Sequence, residues 1–135
     1  MDDSMTKVPT SAPAILVAEV EPISRTSLSE LLRDEGYRVV EAAESALAVN
    51  QMRRERDIKV ILADLEMPSW TSIIKHARVH LPESFILGMV RYGAVANALE
   101  AQQLGAHAHL IKPLSFNEVN EWIQRCLNGR SEIKR

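Results

Sequence analysis

The sequence has few of the features that mark specialised protein classes. Its single cysteine, Cys126, cannot form an internal disulfide, so a disulfide scaffold is excluded and a reducing compartment is expected. Five glycines and six prolines in 135 residues exclude collagen-like and low-complexity chains. The longest apolar run, Ala14 to Ala18, is far too short to span a bilayer, so no membrane association is predicted.

The sequence also lacks a strong excess of positive or negative charge. The chain has 16 lysines and arginines against 18 acidic residues, and without a basic stripe it is not predicted to bind nucleic acid directly. Residues 1–13 are polar, contain proline and lack an apolar signal segment, so we expect a disordered leader and a cytoplasmic protein. Residues 14–128 are predicted to form one domain, and residues 129–135 a flexible tail.

Within the predicted domain, short strand-like segments alternate with longer amphipathic segments. The segments predicted as strands are 14–18, 37–41, 59–63, 85–90 and 109–111. The predicted helices are 22–35, 43–56, a third from Thr71 or Ser72 to His80, 94–104, and a fifth that is capped by Ser115. Five strand–helix units predict an α/β fold: a doubly wound, flavodoxin-like sheet of five parallel strands with helices on both faces.

Ligands of such folds bind at the carboxyl ends of the strands. Glu19 follows the first strand, Asp64 ends the third, and Lys112 ends the fifth, so these side chains are expected to meet. The Glu-Val-Glu-Pro loop after the first strand lacks the glycines of a phosphate-binding loop, and no Gly-x-Ser-x-Gly hydrolase motif is present. His76 and His80 have no further predicted zinc ligands and are interpreted as a solvated helix edge.

A carboxylate beside a cation site and a lysine can act as a nucleophile toward a phosphoryl donor. This transfer depends on Mg²⁺ and on a fixed positive group. On this hypothesis Asp64 is the nucleophile, Glu19 helps to hold Mg²⁺, and Lys112 pairs with Asp64 and then with the phosphoryl group. The alternative is a structural ion pair between Asp64 and Lys112 at the end of the sheet.

Several segments resemble the receiver domain of two-component response regulators. The resemblance covers about Ile15 to Leu127. It is carried by Ile-Leu-Val-Ala-Glu-Val-Glu-Pro at 15–22, Val-Ile-Leu-Ala-Asp-Leu-Glu-Met-Pro at 60–68, and Lys-Pro-Leu at 112–114. It implies a signalling module that at most catalyses its own aspartyl phosphorylation and dephosphorylation.

The resemblance also implies roles for individual residues. Asp64 falls on the phosphoacceptor, Lys112 on the family lysine, and Glu19 on the first acidic position of a Mg²⁺ site, which the backbone carbonyl of Glu66 completes. The implied partners are a sensor histidine kinase or phosphotransfer protein, and a downstream protein or a second copy of the chain bound through the Ala94–Leu127 face.

Five residues depart from the family pattern. Val20 replaces an acidic Mg²⁺ ligand, Val90 replaces the Ser/Thr of the switch, His109 replaces its aromatic partner, and Thr71-Ser72 replaces Asp-Gly. Valine offers no oxygen to a metal and no hydroxyl to a phosphoryl group. Two functions therefore stay open: a phosphoaccepting receiver with weak Mg²⁺ binding, and a pseudo-receiver that binds proteins independently of phosphorylation.

Overall fold

Five parallel strands form one sheet in the computed structural model, which describes residues 12–128. The strands are β1 (Ala14–Ala18), β2 (Arg38–Ala42), β3 (Ile58–Asp64), β4 (Phe85–Arg91) and β5 (Ala108–Lys112). The helices are α1 (Pro22–Asp34), α2 (Ser45–Arg54), α3 (Trp70–His80), α4 (Val95–Leu104) and α5 (Phe116–Asn128). The strand order β2-β1-β3-β4-β5 confirms the predicted doubly wound sheet, and its direction of winding reverses between β1 and β3.

The three central strands, β1, β3 and β4, are mainly apolar because both of their faces are covered, whereas the edge strands β2 and β5 are less buried. Successive side chains of a strand point to opposite faces, so neighbours such as Leu16 and Val17 belong to different hydrophobic clusters. Helices α2, α3 and α4 contribute to one cluster, and α1 and α5 contribute to the other. Cys126 on α5 is buried in the second cluster, as expected for a core residue, and burial raises the pKa of its thiol to about 11.

The beginning of α3 was predicted wrongly. The helix begins at Trp70 with Ser69 as its N-cap, instead of being capped by Thr71 or Ser72. The Trp70 side chain is only 8% exposed. Because burial of this ring is favourable, the helix begins at Trp70, before the polar residues Thr71 and Ser72. The Ser72 hydroxyl donates to the carbonyl of Ser69 at 2.7 Å and so does not cap the helix amides.

The other boundaries agree with the predicted ones to within one or two residues, which is the usual uncertainty at element ends. Ser115 caps α5 as expected, because its Oγ accepts the Glu118 N–H at 3.4 Å. Of the predicted leader, Ala12 and Pro13 are described, and their carbonyls accept hydrogen bonds from Arg38. Residues 1–11 and the predicted tail 129–135 lie outside the described residues. In the described part of the chain, no helix is long and apolar enough to cross a bilayer.

Truncation of a central core side chain tests the two-layer packing. Leu62 lies on β3 with 0% exposure, so Leu62→Ala is expected to lower the free energy of unfolding by about 2–5 kcal/mol in urea denaturation. Leu47 on α2 is 47% exposed, and Leu47→Ala is expected to change it by less than about 0.5 kcal/mol. Equal losses for the two variants would contradict the packing described here.

Candidate functional site

The structure brings together the three side chains that were predicted to meet. Lys112 Nζ lies 3.0 Å from Asp64 Oδ1 and 3.1 Å from Glu19 Oε1. The side chains of Asp64 and Glu19 are 1% and 3% exposed, whereas that of Lys112 is 27% exposed. β4 lies between the strands that carry Asp64 and Lys112, so the long lysine side chain reaches across one strand to the carboxylate.

Backbone amides fix the orientation of both carboxylates. Asp64 Oδ1 accepts the Glu66 N–H at 2.9 Å, and Asp64 Oδ2 accepts the Val20 N–H at 3.1 Å. Glu19 Oε2 accepts the Glu21 N–H at 2.9 Å. Together with Lys112, these donors give every oxygen of the two carboxylates a hydrogen-bond partner, so neither group is left buried without compensation.

Two carboxylates share one ammonium here, so one negative charge is left without a cation beside it. The pKa values of the two carboxyls are shifted in opposite directions. Burial, together with the neighbouring Asp64, raises the pKa of Glu19 above its ordinary value. Burial alone would raise the pKa of Asp64, but the Glu19 carboxyl, which donates when protonated, the Val20 and Glu66 amides and Lys112 outweigh burial and lower this pKa. Burial opposes charge on Lys112, but Asp64 and Glu19 outweigh it and raise the pKa of Lys112.

The site presents oxygen atoms of the kind that a hard cation binds. The carboxylates of Glu19 and Asp64 and the backbone carbonyl of Glu66 are the oxygen donors that fit Mg²⁺. Val20, whose side chain has only carbon atoms, is 42% exposed at the same loop. Within residues 12–128, no group of three or more His, Cys, Asp or Glu residues could hold a metal ion. The carboxylate and carbonyl oxygens are of the kind that Mg²⁺ accepts.

The two predicted switch positions lie beside the site, on the side of α4. Val90 is 3% exposed on β4 and pairs in register with Ile111, whereas His109 on β5 is exposed. Val90 and His109 both line a cavity of about 120 Å³ that Ala98 and Leu99 of α4 also border. Val90 fills this buried position with methyl groups and offers no hydroxyl.

A larger groove opens next to the carboxylates and has mainly apolar walls. Its volume is about 690 Å³, and Glu19 and Lys112 lie in its wall beside Leu31 and Phe116. The Glu66 carboxylate, also in this wall, pairs with Arg91 at 3.5 Å. Within the triad of Glu19, Asp64 and Lys112, Glu19 and Lys112 are therefore reachable from this groove, whereas Asp64 lies buried behind them.

The interpretation of the two histidines can be compared with the structure. The rings of His76 and His80 stack with centroids 4.3 Å apart. His80 is exposed as expected of a solvated edge, but His76 is half-buried and its Nε2 atom is buried, so that interpretation holds for His80 alone.

Sequence reasoning missed one charged residue at the site. Arg25 on α1 donates from Nη1 to the carbonyl of Glu19 at 2.9 Å and lies 3.4 Å from the carbonyl of Val20. The sequence predicts a helix over 22–35 and indicates no role for Arg25 at the site. Every residue has a backbone carbonyl, so the residue types do not indicate which carbonyls an arginine contacts. The available signal was the spacing of Arg25, one helical turn after Glu21.

Comparison with known proteins points to one family. The family model described as response regulator receiver domain matches residues 15–124. The transcriptional regulatory protein ZraR of Escherichia coli O157:H7 is 34% identical over 115 residues, which cover 84% of this chain and 26% of that protein. Sporulation initiation phosphotransferase F of Bacillus subtilis (strain 168) is 27% identical over 119 residues, which cover 87% of this chain and 95% of that protein.

A solved structure gives the same result for the fold. It is that of a response regulator protein from Burkholderia pseudomallei with a phosphorylated aspartic acid, calcium ion and citrate. It matches with a TM-score of 0.77 at 24% identity, over 89% of this chain and 72% of that one. This likeness shows a shared fold. The chain spans about a quarter of the length of ZraR.

Replacing Glu19 by glutamine tests the charge imbalance. The raised pKa means that this carboxyl stabilises the fold below about pH 4.5 and loses that contribution as the pH rises through the raised pKa. Glu19→Gln removes this loss and keeps an oxygen to accept the Glu21 N–H. We expect the variant to gain stability relative to the wild type as the pH rises above 4.5, measured by urea unfolding at several pH values.

The matched control is Glu30→Gln, which makes the same replacement at an exposed glutamate on α1. A stability difference between Glu19→Gln and the wild type that stays flat across this pH range would contradict the charge imbalance.

Proposed function

Because the chain belongs to the response regulator receiver domain family, we propose that it accepts a phosphoryl group on Asp64 within a two-component phosphorelay. Receiver domains are signalling modules and not typical enzymes, and they interact with histidine kinases and with downstream effector domains. The observation that carries the proposal is the contact of Lys112 Nζ with Asp64 at 3.0 Å and Glu19 at 3.1 Å. We further propose that the chain acts in the cytoplasm, as residues 14–128 folded into one domain.

The chemistry needs an ionised and correctly aimed carboxylate. The lowered pKa of Asp64 keeps it ionised at neutral pH. An Asp64 oxygen attacks the phosphorus of a phosphohistidine, and the P–N bond breaks as the P–O bond forms. The imidazole nitrogen of the donor keeps the electron pair and takes up a proton from solvent. Oδ2 accepts one N–H, from Val20, while Oδ1 accepts from Glu66 and Lys112, so Oδ2 is the freer nucleophile.

Lys112 stabilises the charge that accumulates on the phosphoryl oxygens. The Lys112 ammonium is fixed between two carboxylates and lies in the wall of the groove, where it can pair with an incoming phosphoryl group. Glu19, Asp64 and the carbonyl of Glu66 would hold Mg²⁺, which when bound supplies further positive charge to the transferred group. We propose that this binding is weak because Val20 has no ligand oxygen.

Two surfaces fit the expected partners. The groove beside the triad would receive the histidine-bearing segment of a kinase or phosphotransfer protein. On the other side, Val95, Leu99 and Ile111 within the Ala94–Leu127 face are each about half exposed or more. Apolar side chains grouped on one surface fit a downstream protein or a second copy of the chain.

A pseudo-receiver that acts without phosphorylation is the second candidate function. Val90 favours it, because this buried residue has no hydroxyl to follow a phosphoryl group from the inactive to the active state. In this alternative the pair of Asp64 and Lys112 is a standing structural ion pair, and the Ala94–Leu127 face binds its partner in one fixed state.

Incubation with acetyl phosphate and excess Mg²⁺ separates the two candidates. We expect intact mass spectrometry to show the gain of one phosphoryl group, and we expect Asp64→Asn to show no gain because an amide is not a nucleophile toward phosphorus. A wild-type chain that gains nothing under conditions that phosphorylate an ordinary receiver favours the pseudo-receiver. A gain that persists in Asp64→Asn would place the phosphoacceptor elsewhere.

Restoring a carboxylate at position 20 tests the reason for weak metal binding. Val20→Asp is expected to raise the Mg²⁺ affinity roughly tenfold or more, because it adds an oxygen ligand next to Glu19 and Asp64. Isothermal titration calorimetry measures the affinity. Val79→Asp on α3 introduces the same charge at a position that is 71% exposed, and it is expected to leave the affinity unchanged. Similar gains in both variants would attribute the effect to net charge alone.

A further inference from the structure

We propose that Arg25 is a positioning residue that clamps the loop between β1 and α1, so that two consecutive loop amides hold the carboxylates of Asp64 and Glu19. This inference rests on the proposed function of Asp64 as phosphoacceptor. Arg25 touches neither carboxylate in the contacts that define the site. It acts through the backbone of Glu19, Val20 and Glu21.

Two adjacent peptide units have the same arrangement. In the unit between Glu19 and Val20, the carbonyl accepts from Arg25 at 2.9 Å and the N–H donates to Asp64 Oδ2 at 3.1 Å. In the unit between Val20 and Glu21, the carbonyl lies 3.4 Å from the same Arg25 nitrogen and the N–H donates to Glu19 Oε2 at 2.9 Å. Each unit is held by the arginine at one end and by a site carboxylate at the other.

The geometry of the peptide bond connects these two ends. A trans peptide is planar, and its C=O and N–H bonds point in opposite directions. A cation that fixes the carbonyl therefore fixes the direction of the N–H on the other side of the unit. The positive charge at the oxygen also polarises the unit, which strengthens the N–H as a donor to a carboxylate.

Arg25 is itself held in place. It lies on the first turns of α1, where its side chain is 18% exposed, and its Nε is 3.6 Å from Glu41 Oε1 at the end of β2. The other oxygen of Glu41 pairs with Arg33 at 3.2 Å. A guanidinium stays charged at all relevant pH values and presents its donors in a rigid fork, so one arginine can serve Glu41 and the loop together.

The clamp acts through the main chain of residue 20, whose N–H donates to Asp64. The direction of this N–H depends on the loop conformation. Loss of the guanidinium would free both peptide units to rotate, and Asp64 and Glu19 would each lose one fixed donor.

The clamp can be measured in the whole unphosphorylated chain. In Arg25→Gln, the ¹⁵N–¹H signals of Val20 and Glu21 are expected to move upfield, and these amides are expected to exchange with solvent roughly tenfold faster. Arg33→Gln is the matched control, because Arg33 contacts Glu41 without contacting the loop carbonyls. Arg25→Lys, which keeps the charge but not the fork, is expected to give intermediate exchange rates.

The amide signals of the Arg25 and Arg33 variants either support or overturn the clamp. A folded Arg25→Gln chain with unchanged Val20 and Glu21 signals overturns the clamp, and so does an equal change in Arg33→Gln. If Arg25→Gln does not fold, Arg25→Lys decides: faster exchange at both amides supports the clamp, and wild-type exchange overturns it.

Phosphorylation by acetyl phosphate provides a separate measurement. The rate constant is expected to fall roughly tenfold in Arg25→Gln and to be unchanged in Arg33→Gln. If the wild-type chain takes up no phosphoryl group, the proposed function fails, while the amide signals still decide whether Arg25 aims the loop. The remaining outcome is that the wild type is phosphorylated and Arg25→Gln is phosphorylated at the same rate although its Val20 and Glu21 amides exchange faster. Positioning by Arg25 would then not serve the transfer, and the inference is overturned.

Discussion

One ammonium between two buried carboxylates is the interaction on which the site depends. Burying Asp64 and Glu19 side by side is costly, since each loses most of its hydration and they repel each other. Lys112 compensates for one negative charge, and backbone amides satisfy the oxygens that it does not reach. This is possible only where β1, β3 and β5 end at the same edge of the sheet, so the winding of the strands determines the chemistry.

Much of the fold and the central triad could be predicted from residue types. Strands buried on both faces are continuous apolar runs, and the charged residues that end them, such as Asp64 and Lys112, meet because parallel strands end together. The start of α3 was not predictable in this way, because burial of the Trp70 ring outweighs the capping preference of Thr71 and Ser72.

The contacts of Arg25 were not predictable for a different reason. Its acceptors are main-chain carbonyls, and every residue has one, so no residue type at positions 19 and 20 indicates that an arginine is bound there. The roles of Val20 and Val90 were argued from what their side chains lack. The structure adds what these residues still do. The methyl groups of Val90 fill a buried position, and the main-chain N–H of Val20 donates to Asp64.

The hydrogen bond from Val20 to Asp64 has a consequence for substitution at position 20. Its donor belongs to the main chain, so nineteen of the twenty amino acids could supply it, and only proline, which has no N–H, would abolish it. The side chain at position 20 can therefore change without removal of the hydrogen bond that orients the aspartate.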